Sequence, residues 1–217
     1  LARNTLKLIS ASTRDIENLG YWYDLAGVKA DNRDEQIAQL LAAHTAGKLG
    51  VAFGNGLEGN LDRILTLDQS SWYHARLAVR TLTLNDETIG LAMFGAHQRL
   101  WQLLDTRVTG DERSLANFLA SALAVSKLHI LAIRPDYQCA GYGTRLIKKV
   151  LGVARADNVV MFYGQFSARR PHLRKFYESV GFKVGEAGEA MPFGMATGNP
   201  TDMIVVQPDE CYFSTGR

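Results

Sequence analysis

Cysteine and long apolar runs are what this 217-residue chain has least of. Its two cysteines, Cys139 and Cys211, stand far apart without C-x-x-C spacing, so they read as free thiols of a reducing compartment. No apolar run approaches the ~20 residues of a membrane span, and no signal-peptide pattern opens the chain. A cytoplasmic protein is expected, with upstream sequence trimmed, since the first residue is Leu1. Charge of one sign is also lacking. A net charge of +2 offers no footprint for nucleic acid or an anionic membrane. The five histidines (His44, His74, His97, His129, His172) form no H-x-x-x-H or Cys/His cluster, so no metal site is expected.

What is present is ordinary globular composition, 47% apolar and 21% charged. That is enough to bury one large core, and residues 1–217 are read as one domain. Leu6 to Ile9 suggests a first strand. Ser12-Thr13-Arg14-Asp15 and Asn32-Arg33-Asp34-Glu35 have the form of helix capping boxes. Glycines 54, 56 and 59 suggest a loop. Trp72–Leu84 and Thr88–Phe94 read as strands joined by a turn at Asn85-Asp86-Glu87. Asp111–Leu123 is expected to be helical, with Leu115, Leu119 and Ala122 on one stripe. Strand and helix then alternate: strand 125–133, helix 141–156, strand 159–166, helix 171–180, and strands 182–185 and 203–206. The order argues for an α/β or α+β sheet with helices packed on it.

Gly141-Tyr142-Gly143 opens the helix whose apolar stripe is Leu146, Ile147, Val150, Leu151 and Ala154. A helix start has unpaired N–H groups and partial positive charge that suit phosphate, and glycine lets a ligand come close. A tight strand-to-helix turn with nothing bound fits the same residues. A Rossmann fingerprint would need glycine where Leu146 stands, and Walker Gly-Lys-Ser/Thr is absent.

Gln138-Cys139-Ala140-Gly141-Tyr142-Gly143 resembles the [QR]-x-x-G-x-[GA] pyrophosphate loop of the GNAT superfamily of acyl-CoA-dependent N-acyltransferases. Ile133-Arg134-Pro135-Asp136-Tyr137 before it, and Phe176-Tyr177-Glu178-Ser179-Val180-Gly181-Phe182 after it, are similar to that family's strand end and F-Y-E-x-x-G-F signature. The likeness covers about residues 75–210 and leaves 1–70 as a variable acceptor-side region. It implies a GNAT fold: a splayed mixed sheet with flanking helices, in which the strand ending at Ile133 parts from the one beginning near Val159. Acetyl-CoA is the implied co-substrate. Its pantetheine would bond the main chain of Leu131, Ala132 and Ile133, and its pyrophosphate the N–H groups of Cys139 to Thr144. Gln138 belongs to this motif. Arg170 stands where many members carry an asparagine that contacts pantetheine.

Lys127-Leu128-His129-Ile130-Leu131-Ala132-Ile133 resembles more closely the H-x-H-V-L-A-V strand of arylalkylamine N-acetyltransferases, with His129 kept and Lys127 in place of the first histidine. The implied catalytic residues are His129 as base and Tyr177 as the acid that protonates the departing thiolate. Freeing an alkylamine of pKa ~10.4 at pH 7 costs about 4.6 kcal/mol, which is why a base is needed. Backbone N–H near Leu131 would hold the oxyanion. Plainer readings stay open. Strand alternation puts Lys127, His129, Leu131 and Ile133 on one face, where a histidine is often a satisfied core residue. Tyr177 shares a helical stripe with Leu173, Phe176 and Val180. The basic residues Arg169, Arg170, Arg174, Lys175, Arg145, Lys148 and Lys149 suit either the 3′-phosphate of CoA or a solvated face.

Residues from about 97 to 124 form an expected helical insertion over the acceptor entrance, where Asp111 and Glu112 could attract a cationic amine. Tyr21, Trp22, Tyr23, Trp72 and Trp101 could line that pocket or fill the core. The expected activity is acetyl transfer to a primary amine of a small molecule, with a homodimer as the one assembly considered. Alternatives are a protein lysine or N-terminal acetyltransferase and a non-catalytic acyl-CoA sensor.

Overall fold

The computed structural model describes residues 5–29, 32–105 and 112–215, with backbone alone at 103–105, 112–113 and 195. β1 (Leu6–Ser10) leads into α1 (Thr13–Glu17), which begins with the expected capping box. Asp15 N donates to Ser12 Oγ at 3.3 Å, and Ser12 N donates to Asp15 Oδ2 at 2.8 Å. α2 (Leu19–Ala26) ends at left-handed Gly27, and α3 (Arg33–Thr45) follows. No side chain caps α3 at Asn32. Asn32 Oδ1 instead accepts from Gln36 Nε2 at 2.7 Å, one turn along the helix. Gly59 lies inside α4 (Gly56–Leu65) rather than in a loop. The expected strand from Trp72 starts late, because α5 (Trp72–Ala75) buries Trp72 and Ala75 at helical spacing before β2 (Leu77–Leu84) begins.

β2 turns back into β3 (Glu87–Gly95) through Asn85 and Asp86, with φ of 52° and 67°. Two positive φ values make the primed turn whose twist matches a hairpin. Beyond it come α6 (Gln98–Asp105), α7 (Glu112–Leu123), β4 (Val125–Ile133), α8 (Tyr142–Ala156), β5 (Met161–Ser167), α9 (Pro171–Ser179) and β6 (Lys183–Val184). The chain closes with β7 (Met191–Pro192), α10 (Gly194–Thr197), β8 (Met203–Ile204) and β9 (Glu210–Ser214). The seven-stranded sheet runs β1-β2-β3-β4-β5-β9-β6, with β4 and β5 parallel and the other pairs antiparallel. The strand expected at 203–206 is not part of it. Among the described residues β8 pairs only with β7, while β9 enters between β5 and β6.

The parallel ladder between β4 and β5 covers Val125↔Met161 to Leu128↔Gly164 and stops there, though both strands continue. This is the expected splay. Along the β3 edge, Met93 pairs with Ile130 and Phe94 with Leu128, so His129 is the extra residue of a β-bulge. The bulge overturns the expectation that Lys127, His129, Leu131 and Ile133 share one face. Past it the faces exchange: Leu131 and Ile133 join Leu128 in the cluster under α8 and α9, while Ile130 and Ala132 pack under α1–α3.

Three buried clusters hold the sheet. One fills the α8/α9 face around Leu146, Ile147, Val150, Phe162 and Phe213. A second joins α4–α7 to β4 and β5 through Trp72, Trp101, Phe118, Leu119, Tyr163 and Phe193. The third seats Trp22, Tyr23 and Leu40 on β2–β4. Trp22, Tyr23, Trp72 and Trp101 are thus core residues, and Tyr21 is exposed. Residues 97–124 hold the α6–α7 pair. Asp111 and the Glu112 side chain lie outside the described residues.

Candidate active site

The turn after β4 begins where the sequence expects, with Pro135 fixing the backbone after Arg134. Gln138 Nε2 donates to the Ile133 carbonyl at 2.9 Å, so this motif residue props the loop against the end of the strand. Cys139 has φ of 60° and Gly141, the α8 N-cap, 79°. Nothing lies within 4 Å of a Cβ built on Gly141, so glycine is favoured there by its conformation and not by space. Among the described residues, none accepts a hydrogen bond from the N–H groups of Cys139 through Thr144. Alternating left-handed residues next to a helix start gather such groups into an anion-binding concavity. The stretch from Gln138 to Gly141 is exposed, and Tyr142 to Thr144 are half-buried. This cradle lies just past the C-terminal end of β4, on the side where the strands have parted.

His129 occupies the bulge. Its Nε2 lies 2.8 Å from the Ala96 carbonyl, which only accepts, so Nε2 carries the proton and Nδ1 the lone pair. Burial, then the charge of Lys127, lowers its pKa to about 3 despite the Ala96 bond. The carbonyl is in reach because the chain folds sharply at Gly95, with φ of 134°. A Cβ there would meet the Arg76 carbonyl oxygen at 2.0 Å.

Tyr177 lies elsewhere. On α9 it is buried, stacked on Phe213 at a centroid distance of 3.7 Å and edge-on to Phe182 at 5.7 Å. Burial raises its pKa, so the phenol keeps its proton through neutral and mildly basic pH. No described contact joins Tyr177 to His129.

Arg170 Nη1 donates to the Ala26 carbonyl at 2.9 Å, and its guanidinium fills the space over Gly27. It ties the start of α9 to the end of α2. Arg174 is paired with Glu186 at 3.3 Å and Glu178 at 3.7 Å, and Arg169 with Asp209 at 3.7 Å. Lys148 and Lys149 are exposed on α8.

The structure also assembles a group that the sequence reading missed. Lys127 Nζ lies 3.3 Å from His97 Nε2 and 3.2 Å from Gln165 Oε1, and His97 Nδ1 lies 2.5 Å from Tyr163 Oη. The His97 and His129 rings are 6.4 Å apart. Burial lowers the pKa of Lys127 to about 8 and that of His97 to about 2. The one advance signal was strand pairing: Lys127 lies opposite Gly95, two residues before His97.

Comparison with known proteins bears on this geometry. Residues 84–184 match the family model described as an acetyltransferase (GNAT) domain. No curated protein matches the chain. Solved structures with similar folds include the PaiA N-acetyltransferase of Thermoplasma acidophilum in complex with coenzyme A, at 10% identity and a TM-score of 0.52, covering 98% of this chain and 99% of that one. A spermidine N-acetyltransferase chimera from Vibrio cholerae and hSSAT gives 12%, 0.52, 96% and 93%. The ribosomal-protein-S18-alanine N-acetyltransferase of Escherichia coli gives 14%, 0.50, 97% and 92%. The fold of the chain, with its mixed sheet opened between β4 and β5, is the GNAT fold.

Proposed function

We propose that the protein is an acetyl-CoA-dependent N-acetyltransferase that acts on a primary amine of a small molecule by direct attack on the thioester. The observation that carries this reading is the run of uncommitted N–H groups from Cys139 to Thr144, at the open end of two parallel strands that stop pairing after Leu128. Such a cradle suits a pyrophosphate, and the gap beside Leu131, Ala132 and Ile133 suits an extended pantetheine arm. The coenzyme A complex of the Thermoplasma neighbour supports the same ligand. Arg170, at the start of α9, has one arm committed to the Ala26 carbonyl.

In this reading the amine loses a proton to His129 through Nδ1, directly or across a water. A pKa of about 3 means that His129 does not keep the proton and must pass it on. The amine nitrogen attacks the thioester carbon, and backbone N–H near Leu131 holds the oxyanion. The C–S bond then breaks as Tyr177 gives its proton to the thiolate. The phenolate is reprotonated from the nitrogen of the new amide.

A small acceptor is favoured because Lys127, His97 and His129 are half-buried on the sheet face that α6 and α7 cover. The spermidine N-acetyltransferase neighbour is in keeping with it. Thiol release from acetyl-CoA, measured over a panel of polyamines, arylalkylamines and lysine or N-terminal peptides, tests the reading. Turnover with a small amine supports it. Turnover confined to peptides moves the acceptor class, and tight CoA binding without turnover makes the protein a sensor.

A further inference from the structure

His97, Lys127, Tyr163 and Gln165 form a polar set at the point where β4 and β5 part, and the reaction above gives it no task. Lys127 is laddered to Tyr163, one pair before the last, and its side chain reaches forward to Gln165, past the last pair. Its ammonium can only donate. Gln165 Oε1 at 3.2 Å and His97 Nε2 at 3.3 Å therefore accept from it, which leaves the His97 proton on Nδ1, donated to Tyr163 Oη. Burial keeps His97 neutral, as it does His129 further along β4. Both partners of Nζ are thus uncharged, and one of its three N–H groups has no described acceptor.

Among the described residues no carboxylate lies within ion-pair distance of Nζ. Glu210 on β9 acts on it from farther off, and Arg99, exposed on α6, adds a second positive charge. Burial lowers the pKa of Lys127 to about 8, so the ammonium still prevails at pH 7. A half-buried ammonium with neutral partners destabilises the empty protein and presents its charge to whatever enters the opening. The place is also close to the chemistry, because the His97 and His129 rings are 6.4 Å apart.

We propose that the acceptor is an amine that also carries a carboxylate, an amino acid in the broad sense, and that Lys127 holds the carboxylate while the amine faces His129. The inference rests on the acetyl-transfer reading and narrows its acceptor class. The carboxylate takes the free N–H of Lys127 in a charge-assisted hydrogen bond, and Arg99 adds to the attraction at the opening. Binding supplies the counter-ion that the empty site lacks. His97 and Gln165 position the lysine: they fix where Nζ lies without neutralising it, and Tyr163 fixes the ring of His97. A polyamine brings only positive charge to a place where Lys127 and Arg99 are already positive, so the same electrostatics make it a poor acceptor.

The test compares kcat/KM at pH 7 for thiol release from acetyl-CoA with paired acceptors: α- and ω-amino acids, each against its own amide, and spermidine beside them. The preference for acid over amide should be about tenfold or more larger in wild type than in Lys127→Met, a comparison in which the intrinsic reactivity of each amine cancels. Lys127→Arg keeps the cation and should keep most of the preference. Lys127→Glu should invert it, favouring the amide and spermidine. Acetyl-CoA affinity by calorimetry should stay within about twofold of wild type in each variant. An acid-over-amide ratio that is the same in wild type and Lys127→Met overturns the inference, as does a wild type that prefers spermidine to every amino acid. A Lys127→Met loss that is equal for acid and amide gives the lysine a task other than holding the carboxylate and overturns it too. Wild type that turns over no amine removes the acetyl-transfer reading and this inference together. Turnover of amines without a preference for the acid removes the inference alone.

Discussion

Asp157→Asn has a stability consequence that the structure allows to be worked out. The Arg76 and Asp157 side chains are both 0% exposed, with Nη1 3.2 Å from Oδ2. Arg76 also donates to the carbonyls of Ala52 at 2.7 Å and Leu123 at 2.8 Å, and lies over the Phe53 ring at 4.1 Å. Asp157 accepts from Gly54 N at 2.8 Å. The pair therefore clamps the 52–54 loop and the ends of α7 and α8, below the point where β4 and β5 begin. Among the described residues Arg76 Nε has no partner, so the charge depends on the bonds named. Removing the partner of a buried charge costs ~3–5 kcal/mol. The two carbonyls and the ring remain, which places the loss near ~3 kcal/mol. At ~2–4 °C per kcal/mol for a chain of this length, the melting temperature should fall by about 6–12 °C. Urea denaturation and thermal melts at pH 7 measure both quantities. An Asp157→Asn protein within ~1 kcal/mol of wild type would refute the reasoning.

Three further outcomes follow from the same geometry. The pKa of Lys127 is lowered from its unfolded value near 10.5 to about 8, so the unfolded state binds more protons between these values and stability should rise with pH through that window. Lys127→Met should remove the rise and be more stable than wild type at pH 7 by ~1–3 kcal/mol, as urea melts at pH 7 and 9 would show. Tyr177→Phe keeps the stacking on Phe213 and loses no described hydrogen bond. It should cut kcat about 10²-fold or more with unchanged melting temperature and acetyl-CoA affinity, and equal loss of all three would make Tyr177 structural. Gly141→Val forces a β-branched residue into φ of 79° and should weaken acetyl-CoA binding by calorimetry about tenfold or more, while far-ultraviolet dichroism stays native.

Local signals in the sequence were read well where the cause is local. Asn85-Asp86 specified its turn, Ser12 and Asp15 their capping box, and Gly141-Tyr142 the start of α8, though not the left-handed φ of Gly141. The alternation of strand and helix from Val125 onward was legible because α8 and α9 show a clear apolar stripe. Longer-range effects were not. The bulge at His129 depends on pairing with β3, so no period-2 reading of β4 could show that Leu131 and Ile133 change face. β9 hides in Glu210–Ser214, a short run whose strand character comes from partners on both sides. Its neighbour at 203–206 looked similar but is left with β7 alone. His97 gave no motif. Its place beside Lys127 and Tyr163 follows from the fold at Gly95, which brings together residues 30 and 66 positions apart along the chain.

A crystal structure with acetyl-CoA tests the central claim most directly. The account predicts the pyrophosphate on the N–H groups of Cys139 to Thr144, and the pantetheine arm beside Leu131, Ala132 and Ile133 where β4 and β5 diverge. A diphosphate bound away from that loop, or a chain that takes up no acetyl-CoA, would contradict it.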